Sequence, residues 1–449
     1  MRLRSPRRSP ASRKAYWRSG LTPIAAAAVL GVVACVSLVS PKGGPGNVPV
    51  VRGSYKNGAE QIVRVALATN APEGNLSATG AWQLFERDGQ QLVAEGDANQ
   101  QWTVSRFGDC AGGGHCDWKI ALSSAGPAEY RDGPLVARPQ KGALVRWNGK
   151  PYRGELVISA TDSGLLVVNR VSMDLYLRGV VPLEIGNRTS AEMAAVQAQA
   201  VAARTYAYKH LTDKRPFDMY ATVQDQVYGG VDAEKPLSDT AITTTRDVVV
   251  LFAGQPITTP YHSTCGGSTA GVTEVWYGQP DQPYLRPVSD RIPGTNNYYC
   301  DPSPRFSWTQ SFDAAGLRAV MEKYLANYTN APKTNLGRIT DVREQGGTPS
   351  GRVAALTVGT ESGSYTLRGN DIRFVLRDPR GAILNSTYFS LSAATSGGEV
   401  SSLTLNGRGY GHGIGMCQWG AIGRARAGQN YRTILETYYP GTTIGRIAG

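Results

Sequence analysis

The stretch NGRGYGHGIGMCQWGA, residues 406–421, places glycine at positions 407, 409, 411, 413 and 415. Glycine destabilises the interior of a helix and weakens a strand, because it costs backbone entropy and brings no side chain to pack. Five alternating glycines therefore belong where the backbone needs positive φ, or where a ligand or another chain segment approaches closely. A nucleotide-binding loop is excluded by the spacing. Counted from Gly409 or Gly411, the third glycine of G-x-G-x-x-G is missing, and no G-x-x-x-x-G-K occurs. His412 stands alone in the run, with no second ligand in H-x-x-x-H or H-x-x-E spacing.

Charge directs attention to the other end of the chain. Residues 1–20 hold seven basic side chains (Arg2, Arg4, Arg7, Arg8, Arg13, Lys14 and Arg18) and no acidic one; taking these from the net +12 leaves +5 over the other 429 residues. The basic total is thus a local tail, and no nucleic-acid-binding surface is expected. LTPIAAAAVLGVVACVSLVS, residues 21–40, follows without a charge. A basic segment before an apolar run of about 20 residues is an export signal of bilayer-spanning length, with the basic end inside. The chain is expected to be exported, either membrane-attached through this N-terminal segment or in the cell envelope or periplasm. VVAC, residues 32–35, resembles a lipoprotein processing box that would lipidate Cys35. Retention as an anchor, or cleavage just beyond, are the other endings.

Export sets how the six cysteines are read. Cys110 and Cys116 bracket three glycines in CAGGGHC, which suggests a hairpin disulfide. For Cys265 and Cys300 an oxidising compartment favours a disulfide. Cys417 is left over, as a small buried hydrophobe.

The patterning indicates an α+β protein: a β-rich mixed core with one long alanine-rich helix and long loops, plus a smaller N-terminal β-rich region. Residues 41–60, rich in Gly and Pro, read as a linker after the tail (1–20) and the signal or anchor segment (21–40). Alternating runs over 61–138 suggest a small β domain, and 139–449 a larger domain. In the latter, YRGELVISA and GLLVVNRVS form a hairpin across TDS, and MDLYLRG is a short turn of helix. TSAEMAAVQAQAVAARTYAYKHL opens with a capping box, Thr189 and Glu192, and eight of residues 191–211 are alanine. So thin a helix lets another backbone approach. Arg204 among these alanines either snorkels to solvent or holds a carboxylate in a site. Residues 256–300, dense in turn residues and aromatics, are expected to form an ordered surface loop.

Three segments carry a resemblance to a known family. GYGHGIGMCQWGAIGRARAGQNYRTILETYYPGTTI, VVPLEIGNRTSAEMAAVQAQAVAARTYAYKH and YHSTCGGSTAGVTEVW resemble signatures of the SpoIID/LytB family (stage II sporulation protein D / amidase enhancer), in family order and across roughly residues 140–447. The resemblance implies a cell-envelope enzyme, a lytic transglycosylase that cleaves peptide-stripped glycan strands of peptidoglycan to 1,6-anhydro-N-acetylmuramic acid ends. The alternative under the same family name is a non-catalytic wall-binding activator of an N-acetylmuramoyl-L-alanine amidase. By the family's Pro-x-Glu element, Glu184 is the catalytic acid, on a platform set by Pro182. Arg204 would orient Glu184 or bind the substrate's lactyl group. His412 and Gln418 would line the cleft, while Trp276, Tyr410 and Trp419 would stack on sugars. The glycine stretch would then be scaffold and cleft wall. No cofactor is required, although some members resemble one another in holding zinc by one histidine and two cysteines. Here His262, Cys265 and Cys300 would be that set, against the disulfide. Expected partners are glycan strands, the membrane and a cell-wall amidase.

Overall fold

The computed structural model describes residues 50–52, 60–108 and 117–448. Residues 21–40, expected to be a signal or anchor segment, and Cys35, Cys110 and Cys116 lie outside the described residues. Among the described residues no helix is long and apolar enough to cross a membrane.

Two sheets built mainly from residues 62–172 supply much of the main core. One has seven strands, the other six. Period-2 alternation sorts the side chains of the seven-stranded sheet between two faces. Leu156, Ile158, Leu165 and Val167 enter the main core with Leu76, Val104 and Ile120 of the other sheet. Their neighbours Val157, Leu166 and Val168 form a smaller cluster with Phe217. The expected hairpin is present, Glu155–Thr161 against Gly164–Ser172 with Thr161 opposite Gly164.

The boundary expected near 138/139 does not divide this region. Ile62–Ala71 pairs with Gly164–Ser172, and Leu135–Pro139 with Glu155–Thr161, so strands from both sides share one sheet. The short β segments at the N-terminal side complete sheets that the later strands cannot close alone. The linker reading also fails at its end, where Val50–Arg52 adds in parallel to the closing strand Thr443–Ala448.

Met173–Ile185 is one continuous helix that runs through Pro182 and includes Glu184, longer than the short turn expected over MDLYLRG. Pro182 sits in the last turn, so the distortion it causes is confined to the helix end. The capping box at Thr189 and Glu192 forms as expected. Glu192 accepts the Thr189 N–H at 2.9 Å, and a 3₁₀ turn leads into Met193–His210. The alanines of this helix are buried in the main core among the helices Met173–Ile185, Pro236–Thr244, Gln418–Arg426 and Tyr431–Tyr438.

Residues 307–405 leave that core and build a second one, where Phe312, Leu317, Leu356, Leu367 and Leu403 meet. Its strand Glu399–Arg408 delivers the chain back to the glycine stretch. The loop 256–300 is ordered but not superficial: Cys265, Ala270, Val275, Leu285 and Cys300 lie in the main core.

The reason is the glycine stretch, which lies directly on this loop. Tyr261–His262 pairs in parallel with Met416–Cys417, and single bridges join Thr264 to Tyr410 and Ala270 to Ile414. Four of the five glycines have positive φ. At Gly415, φ is +71° and a Cβ would lie 2.1 Å from the Pro260 carbonyl oxygen. Gly428 has φ +82° with nothing within 4 Å. The two test conformation against contact. Gly428→Ala should cost only the ~1–2 kcal/mol of the left-handed conformation, whereas Gly415→Ala should cost clearly more, because the opposing atom is backbone. Denaturant unfolding of both variants measures the difference.

Candidate active site

Glu184 lies one residue from the end of Met173–Ile185. Its Oε1 accepts the Val227 N–H at 3.2 Å, and the side chains of Tyr261 and Gln418 hydrogen-bond the same carboxyl. Burial pushes this carboxyl up to about 6, against the three donors, which pull it down. The donors are themselves held. Gln226, buried, donates to the Tyr261 hydroxyl at 2.9 Å and accepts from Tyr176 at 2.9 Å. Gln418 donates to Gln199 Oε1 at 3.2 Å. Burial raises the Tyr261 phenol well above its ordinary range, so it remains a donor. The next carboxylate, Asp225, faces Tyr206 and acts with Glu184 on Tyr176, and it is not a hydrogen-bond partner of Glu184. What results is a half-buried carboxyl that can hold or release a proton near neutrality, a property of general acids.

Other residues anticipated on sequence take different parts. Arg204 is buried, and its guanidinium donates to Asp174 Oδ1 at 3.0 Å and to the carbonyls of Thr245 (2.8 Å) and Ile242 (3.2 Å). It joins two helices and caps the end of Pro236–Thr244, so the expected role toward Glu184 or a lactyl group is corrected to a structural one. The alanines around Arg204 make room for this crossing, not for a ligand. His412 likewise has no ring nitrogen to offer substrate. Its Nε2 donates to the Tyr261 carbonyl at 2.9 Å and its Nδ1 accepts the Ile414 N–H at 3.0 Å. Burial and neighbouring His262 hold it neutral, well below the ordinary histidine range. His412 therefore pins the glycine stretch to the strand that carries Tyr261.

The aromatics are placed around this wall. The Trp276 ring lies 5.3 Å from that of His412. Arg188 lies over Trp419 at 5.3 Å, and Arg305 over Tyr410 at 4.0 Å. Gln199, Gln226 and Tyr261 were not singled out on sequence as site residues. The available signal was Gln199 among alanines; Gln226 follows Gln224 and Asp225 and carries no such signal, and the burial of both is revealed only by the fold.

The cysteines form a group the sequence did not anticipate. Cys265 and Cys300 are thiols with sulfurs 3.5 Å apart, beyond bonding distance. Cys417, read as a lone hydrophobe, joins them, as does Asp290, and their ligand atoms lie within 4.8 Å of one another. His262 is not in the group. Its Nδ1 donates to the Ile414 carbonyl at 3.2 Å, and its ring faces His412 with centroids 5.4 Å apart. His262 stands opposite Cys417 in the parallel pair, but its ring is engaged by Ile414 and His412 rather than by the thiols.

With this geometry in view, the comparisons with known proteins are consistent with it. The family described as Stage II sporulation protein matches residues 161–252, and a domain of unknown function (DUF8618) matches 292–415. An uncharacterised protein of Brachyspira hyodysenteriae is 32% identical over 318 residues, covering 70% of this chain and 77% of that protein. The amidase enhancer of Bacillus subtilis is 32% identical over 60% of this chain and 40% of its own length. Stage II sporulation protein D of the same organism is 28% identical over 62% and 75%. The chain belongs to the SpoIID/LytB family.

Two substitutions separate the roles of Glu184 and Arg204. The Glu184 carboxyl is raised from an ordinary 4.5 to about 6, so the folded state holds its proton more tightly than the unfolded state. Wild-type stability from this group is therefore lost as pH rises from 4.5 to 6. Glu184→Gln should gain on the order of 2 kcal/mol relative to wild type across that window, read by thermal unfolding at pH 4.5 and 7.5. Arg204→Ala leaves Asp174, among the described residues, with the exposed Arg246 as its ion-pair partner and should cost about 3–5 kcal/mol in denaturant unfolding at pH 7.

Proposed function

We propose that this chain is a lytic transglycosylase of the cell envelope, acting on peptidoglycan glycan strands whose stem peptides have been removed. The observation that carries the reading is the Glu184 carboxyl, raised to about 6 and held by three neutral donors, with no carboxylate among its hydrogen-bond partners in the described residues. Hydrolytic glycosidases usually need two carboxylates, one as acid and one as nucleophile or base. A lytic transglycosylase needs one. Protonated Glu184 gives its proton to the glycosidic oxygen as the bond from C1 to that oxygen breaks. The 6-hydroxyl of the same muramic residue then attacks C1, and its proton returns to the Glu184 carboxylate. The bond lost is the glycosidic one, the bond gained is the 1,6-anhydro bridge, and the acid is regenerated. Tethering of the nucleophile supplies what a positioned water otherwise would.

In this reading Tyr261 and Gln418 orient the carboxyl and support its ionised form midway through the reaction. Trp276, Tyr410 and Trp419 are the aromatics available for stacking on sugar rings. The kinship with stage II sporulation protein D supports a cell-wall role, and the basic and apolar residues 1–40 support export with membrane attachment.

A second reading is favoured by the 32% identity to an amidase enhancer. The chain would then bind the wall and stimulate an amidase without cleaving glycan.

The full chain, incubated with peptide-free glycan strands and with intact sacculi, decides between these by product mass. Anhydro-muramic ends from the stripped strands support the transglycosylase, and reducing ends would mean hydrolysis. Binding without cleavage, together with a raised amidase rate, would replace the first reading by the second. Glu184→Gln should lower the cleavage rate ~10²–10⁴-fold. For wild type, kcat/KM should fall as pH rises through about 6, where Glu184 loses the proton it must donate.

A further inference from the structure

We propose that Cys265, Cys300, Cys417 and Asp290 hold one divalent metal ion of the zinc class in a closed, structural, tetrahedral site. Four observations converge on it.

The first is spacing. A tetrahedral ion bound to sulfur at ~2.3 Å sets its ligand atoms about 3.8 Å apart. The Cys265 sulfur lies 3.5 Å from that of Cys300 and 3.7 Å from Asp290 Oδ2, and all four ligand atoms lie within 4.8 Å of one another. All four residues are buried.

The second is the support behind the ligands, of the kind that orients metal-binding side chains. Cys417 caps the helix Gln418–Arg426, and its sulfur accepts the N–H groups of Gly420 and Cys265, each at 3.2 Å. Asp290 Oδ1 accepts the Tyr438 hydroxyl at 2.7 Å and Arg424 Nη2 at 3.2 Å, which leaves Oδ2 facing the thiols. The approach of Asp290 depends on Gly420, where a Cβ would lie 2.3 Å from Oδ2.

The third is charge. Three thiolates and a carboxylate around a divalent cation carry a net charge of −2. Two buried guanidiniums stand beside the group. Arg424 is paired with Asp290. Arg352 donates to the Cys265 carbonyl at 3.2 Å, while its buried Nε and Nη1 have no hydrogen-bond partner among the described residues. A buried arginine without an ion pair is costly, and an anionic metal centre next to it offsets that cost.

The fourth is connectivity. The ligands come from segments separated by 25, 10 and 117 residues, and they meet where the loop 256–300 packs against the glycine stretch. An ion here would tie that loop to the residue before Gln418, and so to the wall of donors facing Glu184. No ligand position is left open for substrate. The ion's role is to hold the fold, and the inference does not rest on the transglycosylase reading.

The ligand set is tested on the full chain, reduced, freed of metal and titrated with cobalt(II), with metal content measured independently. One equivalent of cobalt, with thiolate-to-metal charge-transfer absorption and tetrahedral d–d bands, is expected for wild type. His262→Gln should retain both. Cys417→Ser and Asp290→Asn should each weaken cobalt binding, the first by more than ~100-fold, since loss of a residue that only hydrogen-bonds a ligand already costs about 10–100-fold. Because wild type and His262→Gln report on their own, misfolding of a ligand variant leaves the test intact. A Cys265–Cys300 disulfide in the untreated protein with no bound metal would overturn the proposal. So would loss of the thiolate–cobalt spectrum in His262→Gln with its retention in Cys417→Ser. Metal content is read apart from glycan cleavage, so the two proposals fail separately.

Discussion

The backbone of the glycine stretch lies against the backbone of residues 260–265, and the rest of the site depends on that contact. A Cβ at Gly411 would lie 2.8 Å from the Cβ of His262, and one at Gly415 would lie 2.1 Å from the Pro260 carbonyl oxygen. Only a run without side chains can approach so closely in this conformation. The contact aligns Tyr261–His262 with Met416–Cys417. Through that register Tyr261 and Gln418, 157 residues apart in sequence, reach the same carboxyl. His412 fastens the arrangement by hydrogen bonds to both segments.

Charge is divided along the same lines. Arg204 with Asp174, and Arg424 with Asp290, are buried ion pairs that join elements of the fold. Removing either partner would leave a buried charge uncompensated, which ties these residues to architecture. Glu184 differs in being surrounded by neutral donors. Its ionised form is solvated well enough to exist, yet burial makes that form costly, and the balance lies near neutral pH. A cationic neighbour such as Arg204, had it faced this carboxyl, would have held it ionised and unfit to donate a proton.

Much of this was legible in the residues. The capping box at Thr189 and Glu192, the alanine-rich helix and the hairpin around TDS depend on local propensity and appear where expected. The family motifs pointed to Glu184 and Gln418, which the fold brings together. Arg204 and His412 were misassigned because polarity next to small residues is equally compatible with a cleft and with a buried crossing. The difference lies in partners distant in sequence, Thr245 for one and Tyr261 for the other. The division at 138/139 failed for a related reason. Alternation marks a strand and its two faces, but says nothing about which strand completes its sheet.

The α+β class, the family, the position of Glu184 beside Pro182 and the need for close backbone approach at residues 407–415 could be read from the residues alone, because these follow from local patterns and motif identity. It took long-range packing to bring Cys417 and Asp290 to Cys265 and Cys300 while His262 stays outside that group. The same packing places Gln199, Gln226 and Tyr261 in the hydrogen-bond network around the Glu184 carboxyl. Those outcomes depend on burial and on the register of segments far apart in the chain, and neither is encoded in any short stretch. Burial is also what raises the Glu184 carboxyl to about 6, so its capacity to act near neutral pH belongs to the fold rather than to the residue.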